Sequence, residues 1–144
     1  MNLFTRNLVL ALFLLTITLC DAGISIHRKR RHVRVKNLLQ LNGTLFTLTL
    51  HCKSKNDDLG EKVIPFNSSW EFDFIPHFLG ATLYYCGFTW PGQFKWFNVY
   101  NDDRDIDRAS KFQWSIYPPG PCRVNWFNES IVEGTCYHWN GEAL

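Results

Sequence analysis

The chain has 144 residues, 46% hydrophobic, 16% aromatic and 19% charged, with a formal net charge of +2. That size suits one domain with a real core, and 12 Phe, 6 Trp and 5 Tyr exclude a largely disordered chain. Near-balanced charge excludes a polycation.

Residues 1–22 read as a secretory signal peptide. Arg6 and the amino terminus form a positive n-region, and Leu8–Leu19 is an uncharged apolar run. Cys20-Asp21-Ala22 offers the small residues for cleavage between Ala22 and Gly23. The run falls short of the roughly 20 residues that span a bilayer, which argues against an uncleaved anchor. The mature chain is then residues 23–144, a single domain sent outside the cell, where nucleic acid is not an expected partner. Cleavage also removes Cys20 and leaves Cys52, Cys86, Cys122 and Cys136. An even set in a small exported domain predicts two disulfides.

Residues 23–36 form a basic arm, with Arg28-Lys29-Arg30-Arg31 at its centre and Arg34 and Lys36 beyond. It reads first as a solvated, flexible terminus. It also reads as a peripheral contact for anionic lipid, cell-wall polymer or an acidic partner, or as a protease processing site.

From there alternation with period two dominates. A first strand is expected around Val33–Leu38. In Thr44–Cys52, Phe46, Leu48, Leu50 and Cys52 share one face. Trp70-Glu71-Phe72-Asp73-Phe74 alternates aromatic and acidic residues. Thr82–Trp90 aligns Tyr84, Cys86, Phe88 and Trp90. Gln93–Tyr100 places Phe94 and Trp96 on one side, Phe97 and Val99 on the other. Lys111–Tyr117 aligns Phe112, Trp114 and Ile116; Cys122, Val124 and Trp126 repeat the scheme, and a last strand falls near Thr135–Trp139. Core is the expectation for Trp70, Trp90, Trp96 and Trp114. Turn signals separate these runs at Asn42-Gly43, Asn56–Gly60, Pro91-Gly92 and Pro118-Pro119-Gly120. Many short strands with such punctuation predict an all-β chain, a small antiparallel β-sandwich stabilised by two disulfides. Four cysteines allow three pairings. Tying both chain ends to the middle favours Cys52–Cys136 with Cys86–Cys122.

Three sequons suit an exported protein: Asn42-Gly43-Thr44, Asn67-Ser68-Ser69 and Asn128-Glu129-Ser130. All lie beside turn residues, and glycosylation of at least one is expected.

A catalytic set is not found. No nucleophile elbow, phosphate-binding loop or zinc spacing occurs, so catalytic residues, cofactor and metal are all read as none. Asp103, Asp105 and Asp107 have the spacing of calcium-loop ligands. Arg108 then replaces the turn glycine and Trp114 the bidentate glutamate. The segment Asp102–Arg108 therefore reads as a solvated, mixed-charge loop. Glu71 and Asp73 share a strand's outer face and read as solvent-facing rather than as a glycosidase pair.

Several segments carry a family pattern in order: Leu48–Gly60, Trp70–Phe74, Thr82–Trp90, Phe97–Tyr100, Gln113–Ile116, Gly120-Pro121-Cys122, Cys136 and Trp139. Together they resemble the plant self-incompatibility S-protein homologue family over Val33–Trp139. The resemblance implies a small secreted β-sandwich with disulfides and no catalytic activity. Founding members of that family are stigma proteins that act as ligands for incompatible pollen, and most homologues have other or unknown roles. Many members carry a cysteine shortly before the Trp-x-Ile strand; Arg108–Gln113 has none here.

The functional expectation is a secreted, non-enzymatic recognition protein, monomeric, that presents loops to an extracellular or cell-surface protein receptor. Specificity residues sit on loops because the scaffold positions them. The nominated loops are Lys53–Lys62, Asp102–Arg108 and Tyr117–Pro121, with Asp57, Asp58, Asp102, Asp103, Arg104, Asp105 and Arg108 as contact residues. The alternative is a defence or toxin-like protein acting on membranes through Arg28, Lys29, Arg30 and Arg31.

Overall fold

A computed structural model describes residues 2–21 and 28–142. The cleavage position at Ala22 and Gly23, and residues 23–27 of the arm, lie outside these. Helix α1 (Leu3–Asp21) contains the apolar run, and Leu8, Leu10, Leu12 and Phe13 are all exposed on it. No helix among the described residues is long and apolar enough to cross a membrane.

Among the described residues eleven strands follow: β1 (Arg31–Asn37), β2 (Gln40–Leu41), β3 (Thr44–Leu45), β4 (Leu48–Lys53), β5 (Asp58–Ile64), β6 (Ser69–Phe74), β7 (Leu83–Trp90), β8 (Gln93–Asn101), β9 (Lys111–Tyr117), β10 (Gly120–Val124) and β11 (Ile131–Cys136). A single helical turn, α2 (Asp102–Asp105), joins β8 to β9. The strands make a five-stranded sheet in the order β11-β10-β9-β1-β6 and a four-stranded sheet in the order β5-β4-β7-β8. The pair β2-β3 is a separate ribbon closed by Asn42 and Gly43, both at positive φ, as a two-residue hairpin loop requires.

The expected sandwich is present. Alternation places Leu48, Leu50 and Cys52 of β4, Tyr84, Cys86, Phe88 and Trp90 of β7, and Phe97 and Val99 of β8 in one core. Val33 and Val35 of β1 and Phe112, Trp114 and Ile116 of β9 meet them from the other sheet. The Trp114 indole N–H donates to the Val99 carbonyl at 2.8 Å and ties the layers together. At the far end buried Asn37 does the same, donating to the carbonyls of Phe46 (2.7 Å) and Ile64 (2.9 Å).

Four features differ from the expectation. First, the C-terminal part of the basic arm is not a solvated terminus. Residues 31–36 belong to β1, which pairs antiparallel with β6 and parallel with β9. Its valines face the core, and its charges are paired across the sheet: Arg34 with Glu71 at 3.0 Å and Lys36 with Glu129 at 2.6 Å. The sandwich thus contains one parallel pairing, which joins segments almost eighty residues apart and leaves no local mark in either.

Second, the disulfides are Cys52–Cys86 and Cys122–Cys136, not the favoured Cys52–Cys136 and Cys86–Cys122. Each joins directly opposed residues of adjacent strands, β4 with β7 and β10 with β11. Third, the turn assigned to Asn56–Gly60 is shorter, and β5 begins at Asp58. Only Ile64 of this edge strand is buried, so its alternation is weak. Fourth, Trp96 is 43% exposed and Trp70 half-buried, whereas Trp90 and Trp114 are buried as expected.

Candidate functional site

The loops 54–57, 75–82 and 102–110 leave the sandwich at one end. Hydrogen bonds knit this end together. Arg28 donates to the Phe78 carbonyl at 3.1 Å and reaches Asp102 at 3.5 Å, and Arg31 donates to the Ile106 carbonyl at 2.8 Å. The Tyr84 hydroxyl donates to Asp57 at 2.7 Å. The nominated loop Tyr117–Pro121 lies at the opposite end, because β9 runs the full height of the sheet from Lys111 to Tyr117. The three nominated loops therefore do not converge.

Asp102 and Asp105 are not partner contacts. Asp105 is fully buried and Asp102 is 5% exposed. Asp105 accepts from Arg104 at 2.7 Å, from Arg123 at 2.5 Å and from the Asn101 backbone N–H at 2.9 Å. Burial pushes its carboxyl up, but the Arg104 hydrogen bond and charge, with the Asn101 and Arg123 bonds, outweigh that and hold it below the usual range. The Arg104 guanidinium in turn lies over Trp114 (5.0 Å), Phe97 (5.3 Å) and Tyr137 (5.6 Å). Asp102 accepts from the Tyr100 hydroxyl at 2.8 Å and the Thr82 backbone N–H at 2.9 Å. The Asp-rich segment is thus an ionic plug that closes the sandwich. Its repeated short spacing suggested a solvated loop because nothing local reveals the arginine of β10 that meets it.

Asp57, Asp58, Asp103 and Arg108 are exposed, as a contact role needs. His51 Nε2 lies 2.5 Å from Asp58 Oδ1; that bond, with the Gly60 N–H, holds the Asp58 carboxyl down at about 2. Between loops 54–57 and 75–82 opens a cleft of about 560 Å³. Lys55, Asp57, Ile75, His77, Thr82 and Tyr85 are among its lining residues. Ile75 and His77 were missed from the sequence. The available signal was apolar residues inside a Pro- and Gly-marked connection, where water-facing polar residues are usual. Phe78 and Leu79 in the same loop are 58% and 77% exposed.

Among the described residues no group of three or more His, Cys, Asp or Glu side chains could hold a metal ion. Asp73 pairs with Arg30 at 2.6 Å, and Glu71 with Arg34 as above, so both carboxylates are occupied by cations. All three sequon asparagines are exposed; Asn42 and Asn67 stand at the end away from the cleft, and Asn128 lies in the β10–β11 connection.

Residues 32–139 match the family model described as plant self-incompatibility protein S1. S-protein homolog 4 of Arabidopsis thaliana is 49% identical over 100 residues, 66% of this chain and 64% of that protein's length. S-protein homolog 3 of the same plant is 47% identical over 114 residues, 76% of this chain and 72% of that one. A solved structure described as that of SPH (self-incompatibility protein homologue) proteins, a widespread family of small, highly stable, secreted plant proteins, aligns with a TM-score of 0.53. It covers 80% of this chain and 98% of the solved one at 17% identity, a likeness of fold. The chain belongs to the plant self-incompatibility protein S1 family.

Proposed function

We propose that the mature protein is a secreted, non-enzymatic recognition protein that offers the cleft end of its sandwich to a cell-surface protein receptor. One observation carries the reading. The two loops that form the cleft spring from β4 and β7, and the fully buried Cys52–Cys86 bridge crosslinks those strands at the loops' base. A scaffold clamped there holds exposed Lys55, Asp57 and His77 in place before a partner arrives, which lowers the entropy cost of binding. Membership of a family named for self-incompatibility, and the leader-like sequence pattern of residues 1–22, support export and signalling.

The test is saturable binding of the oxidised, secreted protein to plant cell surfaces. Lys55→Glu and Arg108→Glu together are expected to weaken it at least tenfold. An absence of saturable binding, or binding unchanged by both substitutions, overturns the reading. The membrane alternative asks the arm to meet lipid phosphate. Against it stands the engagement of Arg28, Arg30 and Arg31 with Asp102, Asp73 and the Ile106 carbonyl.

A further inference from the structure

The outer face of the four-stranded sheet carries a strip of exposed rings beside the cleft. Directly opposed residues of paired strands point to one face. The register Gly87↔Trp96, Tyr85↔Asn98 and Thr89↔Phe94 therefore gathers Leu83 and Tyr85 of β7 with Phe94, Trp96 and Asn98 of β8 around Gly87. Phe94 is 69% exposed, Trp96 43%, Tyr85 39% and Leu83 37%. These are not core residues lacking a place, because Phe97 and Val99 already fill the core side of β8. Both faces of the strand are apolar, and one is left to water.

Three details describe the shape of what would fit. Gly87 leaves the middle of the strip without a side chain. A Cβ there would stand 3.2 Å from Cε2 of Phe94, so that ring leans across the glycine backbone. The result is a shallow groove of about 480 Å³ rather than a deep pocket. From Phe94 to the level of Asn98 and Tyr85 it runs about 13 Å, four residues at about 3.3 Å each. The Asn98 side-chain oxygen, in the wall of this groove, is buried without a hydrogen-bond partner. None of the six lining residues is charged.

A long, flat, uncharged groove of rings, with the Tyr85 hydroxyl as its exposed polar group, suits a ligand with apolar faces and a polar rim. A pyranose with equatorial hydroxyls has that form: its axial C–H groups stack on aromatic rings while its hydroxyls reach sideways to polar groups. A protein hot spot seeks a deeper, fully desolvated pocket, and an anionic lipid surface seeks lysine and arginine in the contact. We infer that the Phe94–Trp96–Tyr85 strip binds a neutral polysaccharide of equatorial pyranoses, such as a β-1,4-glucan. The site adjoins the receptor contact proposed above and differs from it in Phe94, Trp96 and Asn98. Leu83 and Tyr85 line both the groove and the cleft, so the two are continuous. A protein held on wall polymer would keep its loop end free.

The experiment uses the oxidised, secreted protein with insoluble cellulose in a pull-down and cellohexaose in calorimetry. Trp96→Ala and Phe94→Ala are each expected to lower cellohexaose affinity at least tenfold, and Trp96→Phe to retain most of it. Both disulfides and the thermal midpoint of each variant are checked, and the ring-keeping Trp96→Phe variant guards against a folding artefact. Lys55→Glu with Arg108→Glu should bind cellohexaose normally, which separates this site from the receptor reading. No glucan binding, undiminished binding by both alanine variants, or binding to polygalacturonate in place of glucan overturns the inference.

Discussion

Asp105 accepts hydrogen bonds from Arg104, Arg123 and a backbone N–H with no surface open to water. Breaking such a set leaves charge buried without a partner, which costs about 3–5 kcal/mol. Asp105→Ala is therefore expected to lower unfolding free energy by about that much, read from denaturant titration. Because the folded carboxyl is held below its unfolded value of about 3.9, its contribution is complete above that pH. It is lost as the pH falls through the lower folded value, so an acid titration should show wild type losing stability below about pH 4 more steeply than the variant. Tyr84 and Tyr100 work in the other direction. Burial, then hydrogen bonds to Asp57 and Asp102, push both phenols up to about 12. Their contribution is full below the unfolded value of about 10 and fades as the pH rises towards 12. Ultraviolet titration of the phenolates should find two of the 5 tyrosines ionising late.

At the scale of elements, the two disulfides differ in access. Cys52 and Cys86 are both fully buried, whereas Cys136 is exposed at the edge strand β11. Mild reductant followed by alkylation should label Cys122 and Cys136 first and leave Cys52–Cys86 intact until the domain unfolds. Loss of each bridge costs about 4 kcal/mol for the 34-residue separation and about 3 kcal/mol for the 14-residue one, by loop-closure entropy. Strand β1 carries a second expectation. Removing residues 27–36 takes a central strand from the five-stranded sheet, so circular dichroism should show unfolding, not a folded protein lacking a basic patch. Lys29→Glu, an exposed position before β1, should leave the fold unchanged and report on the charge alone.

At the scale of the molecule, the exposed aromatic strip and the cleft end form one continuous surface. The sequons Asn42 and Asn67 lie at the other end, beside the β2–β3 ribbon and the turn into β6. Glycans there would leave the cleft open. Asn42→Gln with Asn67→Gln should change electrophoretic mobility if those sites are used, and leave cell-surface binding within about twofold. Much of this architecture was legible from residue order. Tyr84, Cys86, Phe88 and Trp90 alternate because β7 has one buried face, and Asn42-Gly43 marks a hairpin because both residues tolerate positive φ. Trp96 was misjudged because β8 is apolar on both faces, and alternation separates faces without saying which is inward. Ile75 and His77 stayed hidden because a cleft between two loops has no local spacing.

Residue order by itself determined the all-β class, most strand positions, the family pattern and the even cysteine set, since these rest on side-chain period and turn chemistry within a few residues. Tertiary structure alone decided the parallel β1–β9 pairing, the within-sheet disulfides, the burial of Asp102 and Asp105 and the exposed face of β8. Each of those depends on which distant segment lies alongside. That choice is made by burying both sheets' apolar faces at once while pairing the buried Asp105 with Arg104 and Arg123.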